Sequence, residues 1–179
     1  MNKLLAAATF IIITLFASCR EDDVRPEIEK CKIINQHLPV YKQKTLDFTG
    51  QAQQNGYVTG YLDGKELKLA NASSFSPTGR KENAYYFHSN HLVAVKQEEY
   101  TYNKPTYITE ELAVKNGDSS WYDDTKTVMK INWCYFYNGH MVRWIGPGHN
   151  IIPDNDRQWD NKEDGLLQDA EKLKKMLRD

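Results

Sequence analysis

Asn138-Gly139 lies between two stretches of alternating apolar residues, and it is the favoured centre of a two-residue type I′ hairpin turn, where both central residues take φ above zero. The chain repeats this arrangement. Phe87-His88-Ser89-Asn90-His91-Leu92-Val93 aligns with Phe136-Tyr137-Asn138-Gly139-His140-Met141-Val142 at a separation of 49 positions, with Ser89-Asn90 as a weaker form of the same turn. A third copy, Tyr61-Leu62-Asp63-Gly64-Lys65, reads as an Asp-Gly turn. Leu67 then falls one residue later than Met141 does, which implies a bulge or a different loop. Hairpins in succession predict an antiparallel meander, here of about six strands.

Closing the last hairpin at Asn138-Gly139 pairs Tyr137 with His140, Phe136 with Met141, Tyr135 with Val142 and Trp133 with Trp144. Strand alternation then gathers Trp133, Tyr135, Tyr137, His140, Val142 and Trp144 on one surface, with Phe136 and Met141 opposite. Neither face is uniformly polar, so something must cover at least one. Leu166, Leu167, Ala170, Leu173, Met176 and Leu177 recur at helical spacing, with Lys172, Lys174 and Lys175 on the solvent side. The expected fold is α+β, a single twisted antiparallel β-meander of hairpins with a C-terminal amphipathic helix packed on one face. Between hairpins, 108–114 predicts a short helix, and Asn116 to Ser120 an exposed loop. A second long loop is marked by Gly146-Pro147-Gly148 and by 153–156.

The N-terminus is an address. Lys3 supplies a positive region, Leu4 to Phe16 an apolar run, and Ala17-Ser18 small residues before Cys19. The apolar run is short for a membrane span. Phe16-Ala17-Ser18-Cys19 resembles a bacterial lipobox, which implies that Cys19 is diacylated and becomes the new N-terminus. Arg20-Glu21-Asp22-Asp23 resembles the acidic export signal of Bacteroidetes surface lipoproteins, and the layout of the whole chain is similar to that of small lipoproteins of this type. The implied organisation is a signal peptide over 1–18, a lipidated acidic linker over 19–30 and one globular domain over 31–179. The implied location is the outer membrane, facing the periplasm or the cell exterior.

Loss of the signal peptide leaves 22 basic residues against 24 acidic ones, and so no basic footprint for nucleic acid. The membrane is touched through the lipid alone. Acylation of Cys19 leaves Cys31 and Cys134. An oxidising envelope favours a disulfide between them, while two free buried thiols acting as small hydrophobes is the other reading.

Chemistry-bearing patterns are sparse. His88, His91 and His140 flank turns without the carboxylate or cysteine spacing of a metal site, and residues there are ordinarily exposed. Counted from Asp154 as a calcium loop, Trp159 stands where glycine is required and Gly165 where glutamate is, so that reading fails. Asp160 or Asn161 as a helix N-cap explains the acidic run instead. Cys134 sits mid-strand without an activating partner pattern. No catalytic residue, metal or cofactor is predicted.

What remains is binding. Trp133, Tyr135, Tyr137 and Trp144 read either as a stacking surface or as core beneath the C-terminal helix, and Trp121 and Trp159 as exposed loop contacts. The expected function is that of an envelope-anchored, non-catalytic lipoprotein binding another protein, such as an inhibitor or immunity protein for a secreted toxin. Asp118, Asp123, Asp124, Asp154 and Asp156 would then meet a basic surface. The alternative is glycan binding through Trp121, Trp159 or the aromatic face; an enzyme stands third.

Overall fold

The computed structural model describes residues 24–47 and 55–178. Cys19, the signal peptide and the acidic cluster lie outside them. The protein is α+β: one open antiparallel sheet of eight strands in the order of the chain, a pure meander. The strands are β1 (Lys42–Asp47), β2 (Asn55–Asp63), β3 (Glu66–Ser76), β4 (Gly79–His88), β5 (His91–Thr101), β6 (Val128–Tyr137), β7 (His140–Ile145) and β8 (Ile151–Ile152). The helices are α1 (Arg25–His37), α2 (Glu110–Lys115) and α3 (Trp159–Arg178).

Three of the hairpins are built alike. Their turns are Gly64-Lys65, Ser89-Asn90 and Asn138-Gly139, each flanked by a directly opposed pair. Asn138 and Gly139 take φ of 50° and 82°, and Ser89 and Asn90 take 49° and 65°, the values a type I′ turn demands. The first turn sits one residue later than Asp63-Gly64, because Gly64 occupies the first central position at φ 60°, as in a type II′ turn. With that correction Leu67, Leu92 and Met141 are equivalent, facing Leu62, Phe87 and Phe136.

Each hairpin carries a bulge at the same place, an extra residue at Lys68, Val93 and Val142. A bulge turns every later side chain to the other face. Tyr135 therefore opposes Arg143 rather than Val142, and Trp133 opposes Ile145 rather than Trp144. Trp144 leaves the expected aromatic surface and packs across the sheet beside Trp159, ring centroids 6.4 Å apart.

Both faces are covered, by different helices. α3 lays Leu166, Ala170, Leu173 and Leu177 on Leu67, Tyr85, Phe87, Val95, Cys134 and Phe136. α1 lays Ile28, Cys31 and Ile34 on Leu69, Tyr86, Ala94 and Tyr135. The repeat divides its labour accordingly: Tyr61, Tyr86 and Tyr135 go to the α1 face, while Leu62, Phe87 and Phe136 go to the α3 face. The aromatic pair Trp133 and Tyr135 is thus part of the layer beneath α1, not beneath the C-terminal helix. Residues 25–30, read as linker, are the first half of α1, with Pro26 in its first turn, where a missing N–H costs nothing.

Cys31 and Cys134 are both free and buried, with the sheet between them: Cys31 belongs to the α1 layer and Cys134 to the α3 layer. Of the two readings of this pair, the structure has the free buried thiols and not the disulfide. Strand alternation decides this, since Cys134 points away from α1 while Tyr135 points toward it.

Candidate functional site

α1 is too short to cover its whole face. It spans the half of the sheet nearest the hairpin turns and ends at His37, followed by a 3-10 turn over Leu38–Val40. Beyond Asn35 and Leu38 the same face stays open as a groove of about 470 Å³ crossing β1 to β5. The strands change composition where the helix stops. β3 passes from Leu69 to Asn71 and Ser73, β4 from Tyr86 and Ala84 to Glu82, and β5 from Ala94 to Lys96 and Glu98.

Tyr57, Thr59 and Tyr61 line one side from alternate positions of β2. Tyr57 is 42% exposed and lies against Phe75, ring centroids 5.9 Å apart. Thr59 shares a 3.0 Å hydroxyl contact with Thr45. Asn35 from α1, Gln43 from β1 and Asn71 from β3 bring three amides to the groove from three elements. Tyr86 forms part of the floor; burial pushes its hydroxyl pKa up, and a hydrogen bond with the Asn35 side chain opposes that.

The charges of the groove are already matched. Lys96 Nζ lies 2.6 Å from Glu98, whose side chain is 17% exposed, and Arg80 pairs with Glu82 at 3.1 Å. Arg80 also stands 4.0 Å over the Tyr100 ring. Lys96 reaches to 6.0 Å from the Trp133 ring, and Trp133 stacks on both Tyr86 and Tyr135. Of the expected aromatic surface, Trp133 therefore touches two residues that line the groove.

The loop residues singled out from the sequence fall elsewhere. Trp159 is 7% exposed, the first residue of α3 and part of the core, so it is not an exposed contact. Trp121 is half-buried on the β5–β6 connection, its carbonyl accepting from Asn103 Nδ2 at 2.8 Å. Asp123 is held as a cap by the Thr125 hydroxyl, Lys126 and the Thr125 N–H; the hydroxyl first, then Lys126 and the N–H, keep its carboxyl below the usual range. Asp156 accepts from the Gln158 N–H at 2.8 Å just ahead of α3, where Asp160 and Asn161 had been read as the cap. Asp118, Asp124 and Asp154 are exposed, on two different connections. α2 forms where expected, capped by Thr109.

A second polar cluster lies under the start of α3. Lys162 donates to Gln97 and sits 5.2 Å from the Trp144 ring, and Trp144 donates to Asn132 at 3.0 Å. Burial lowers the Lys162 pKa and pushes the adjacent Cys134 thiol up to about 12. A thiol so shifted stays protonated at neutral pH and is a poor nucleophile. Among the described residues no group of histidine, cysteine and carboxylate side chains converges as a metal site.

Sequence reasoning missed Tyr57, Asn71, Glu82, Lys96 and Glu98. The usable signal was the gradient along β3 to β5, apolar near each turn and polar away from it, on positions that face α1. No protein family, curated protein or solved structure matches this chain.

Proposed function

We propose that this chain is a non-catalytic binding lipoprotein of the cell envelope, tethered through Cys19 and engaging its ligand with the uncovered half of the α1 face. One observation carries the reading: among the described residues a groove opens on this face where its residues turn polar and aromatic, bounded by the end of α1, with Tyr57 and Phe75 standing exposed at its margin. Rings anchored on a rigid strand and left partly exposed contribute contact area at small entropic cost. Pairing of Lys96 with Glu98 and of Arg80 with Glu82 prearranges the groove before any ligand arrives.

This moves the binding surface from the acidic loops to the sheet. Asp123 and Asp156 are engaged in capping, which leaves three of the five expected aspartates for docking to a basic toxin.

The test is retention. The chain, immobilised, is exposed to envelope and secreted fractions alongside Asn71→Arg, which fills the groove, and Trp121→Ala, which alters the loop. Retention of one component that is lost in Asn71→Arg and kept in Trp121→Ala is expected. Loss in the loop variant with retention in the groove variant would refute the assignment. Labelling with radioactive palmitate, lost in Cys19→Ala, tests the tether.

A further inference from the structure

We infer that the groove on the α1 face is a site for an uncharged saccharide, a short stretch of neutral glycan laid across β2 and β3 at the end of α1. The inference rests on the reading of this face as the binding surface and assigns the chemistry of its ligand.

Charge narrows the ligand first. Every ionic group of the groove has a partner of opposite sign within the fold: Lys96 with Glu98 at 2.6 Å and Arg80 with Glu82 at 3.1 Å. A ligand bearing net charge would have to compete with a partner already in place or crowd its like charge against one, which selects against it. A neutral ligand leaves both pairs intact.

The uncharged polar groups then say which neutral ligand. Asn35, Gln43 and Asn71 each present an amide that donates twice and accepts, and Thr59 and Ser73 add hydroxyls. A sugar hydroxyl is itself both donor and acceptor, so it can be satisfied by an amide in either sense. Asn35 already bonds Tyr86 and Thr59 touches Thr45, so a purely apolar ligand would strand the donors and acceptors that those contacts leave over, at the cost of their desolvation. Tyr57, exposed beside Phe75 and in line with Tyr61 along β2, offers the apolar faces on which the C–H side of a sugar ring rests. The volume of about 470 Å³ falls inside the usual span for small-molecule sites, roughly 300–1,000 Å³.

The experiment uses the full-length chain in a detergent without a sugar headgroup. Trp133, stacked on Tyr86 and near Lys96, should report occupancy by fluorescence, and calorimetry gives affinity. The probes are neutral glucan, mannan, galactan, xylan and chitin oligosaccharides, uronate and sialylated oligosaccharides of similar size, and an uncharged serine- and asparagine-rich peptide. The expected result is binding of at least one neutral oligosaccharide, weakened roughly tenfold by Asn71→Ala and by Tyr57→Ala. Tyr107→Ala, exposed on the β5–β6 connection and outside the residues that line the groove, should leave affinity unchanged. Affinity should differ little between about 50 mM and about 500 mM salt, since no ion pair forms with the ligand.

Binding of an anionic sugar or of the peptide instead, lost in the groove variants, overturns the saccharide assignment while leaving the face as the binding surface. Failure of all the neutral oligosaccharides to bind overturns it as well. If a ligand binds and neither groove variant weakens it, the surface assignment falls too.

Discussion

Replacing Leu177 with Ala removes the side chain that holds the last turn of α3 to the sheet and vacates the space that excludes a side chain at Gly60. Leu177 is 1% exposed, and a Cβ on Gly60 would stand 2.9 Å from both of its Cδ atoms. Leu177→Ala deletes three carbon-sized groups, about 2.4 kcal/mol of lost transfer at about 0.8 kcal/mol each. The residual cavity raises the cost to about 3–4 kcal/mol. Gly60→Ala by itself forces Leu177 aside, at about 2 kcal/mol, typical of overpacking. The three atoms nearest the new Cβ all belong to Leu177, so in the double variant the clash vanishes and the added methyl fills part of the hole. The double variant should lose about 3 kcal/mol where simple addition gives about 5–6, a coupling of about 2–3 kcal/mol between residues 117 positions apart in the chain. Urea unfolding followed by tryptophan fluorescence measures all four corners of the cycle. Additivity within about 0.5 kcal/mol, or a Gly60→Ala variant as stable as the parent, would refute the placement of α3 on β2.

Trp159→Ala should destabilise by about 3–5 kcal/mol as a core truncation, and Trp121→Ala by under about 1 kcal/mol, read from the same unfolding curves. Ellman's reagent should find Cys31 and Cys134 unreactive in the native protein and both reactive in denaturant; a native mass two hydrogens lighter than the reduced chain would contradict this. Cys31 and Cys134 are pushed to about 12 by burial first of all, from 9.0. Their folded pKa values are raised, so the stability they carry is full below pH about 9 and is lost as pH climbs toward about 12, up to about 1.4 kcal/mol per pH unit per thiol. Cys31→Ala with Cys134→Ala should flatten that alkaline decline, and an unchanged slope would count against it. Gly139→Ala should cost about 1–2 kcal/mol, because φ at that turn position is 82°.

Much of the fold was legible because turns and helix stripes write themselves locally. Asn138-Gly139 named its own turn, and the Leu166 to Leu177 stripe named α3. The bulges at Lys68, Val93 and Val142 left no such mark, since a single unpaired residue disturbs alternation without breaking it. Missing them sent Trp144 to the wrong face. α1 went unread because its sequence is rich in charge and follows Cys19 closely. Its apolar positions, Val24, Ile28, Cys31 and Ile34, do recur at helical spacing. The groove was the least legible part. It exists because α1 ends at His37 while the strands beneath it continue, a comparison of lengths between elements far apart in sequence.

The most direct test of the uncovered α1 face as the binding surface is photo-crosslinking in the living cell, with p-benzoylphenylalanine placed at position 57 or at position 107. Both sites are exposed, and the probe inserts into the C–H bonds of protein and sugar alike. Adducts of higher mass from position 57 and none from position 107 are predicted. Adducts from position 107 alone would place the ligand on the β5–β6 connection and contradict the account.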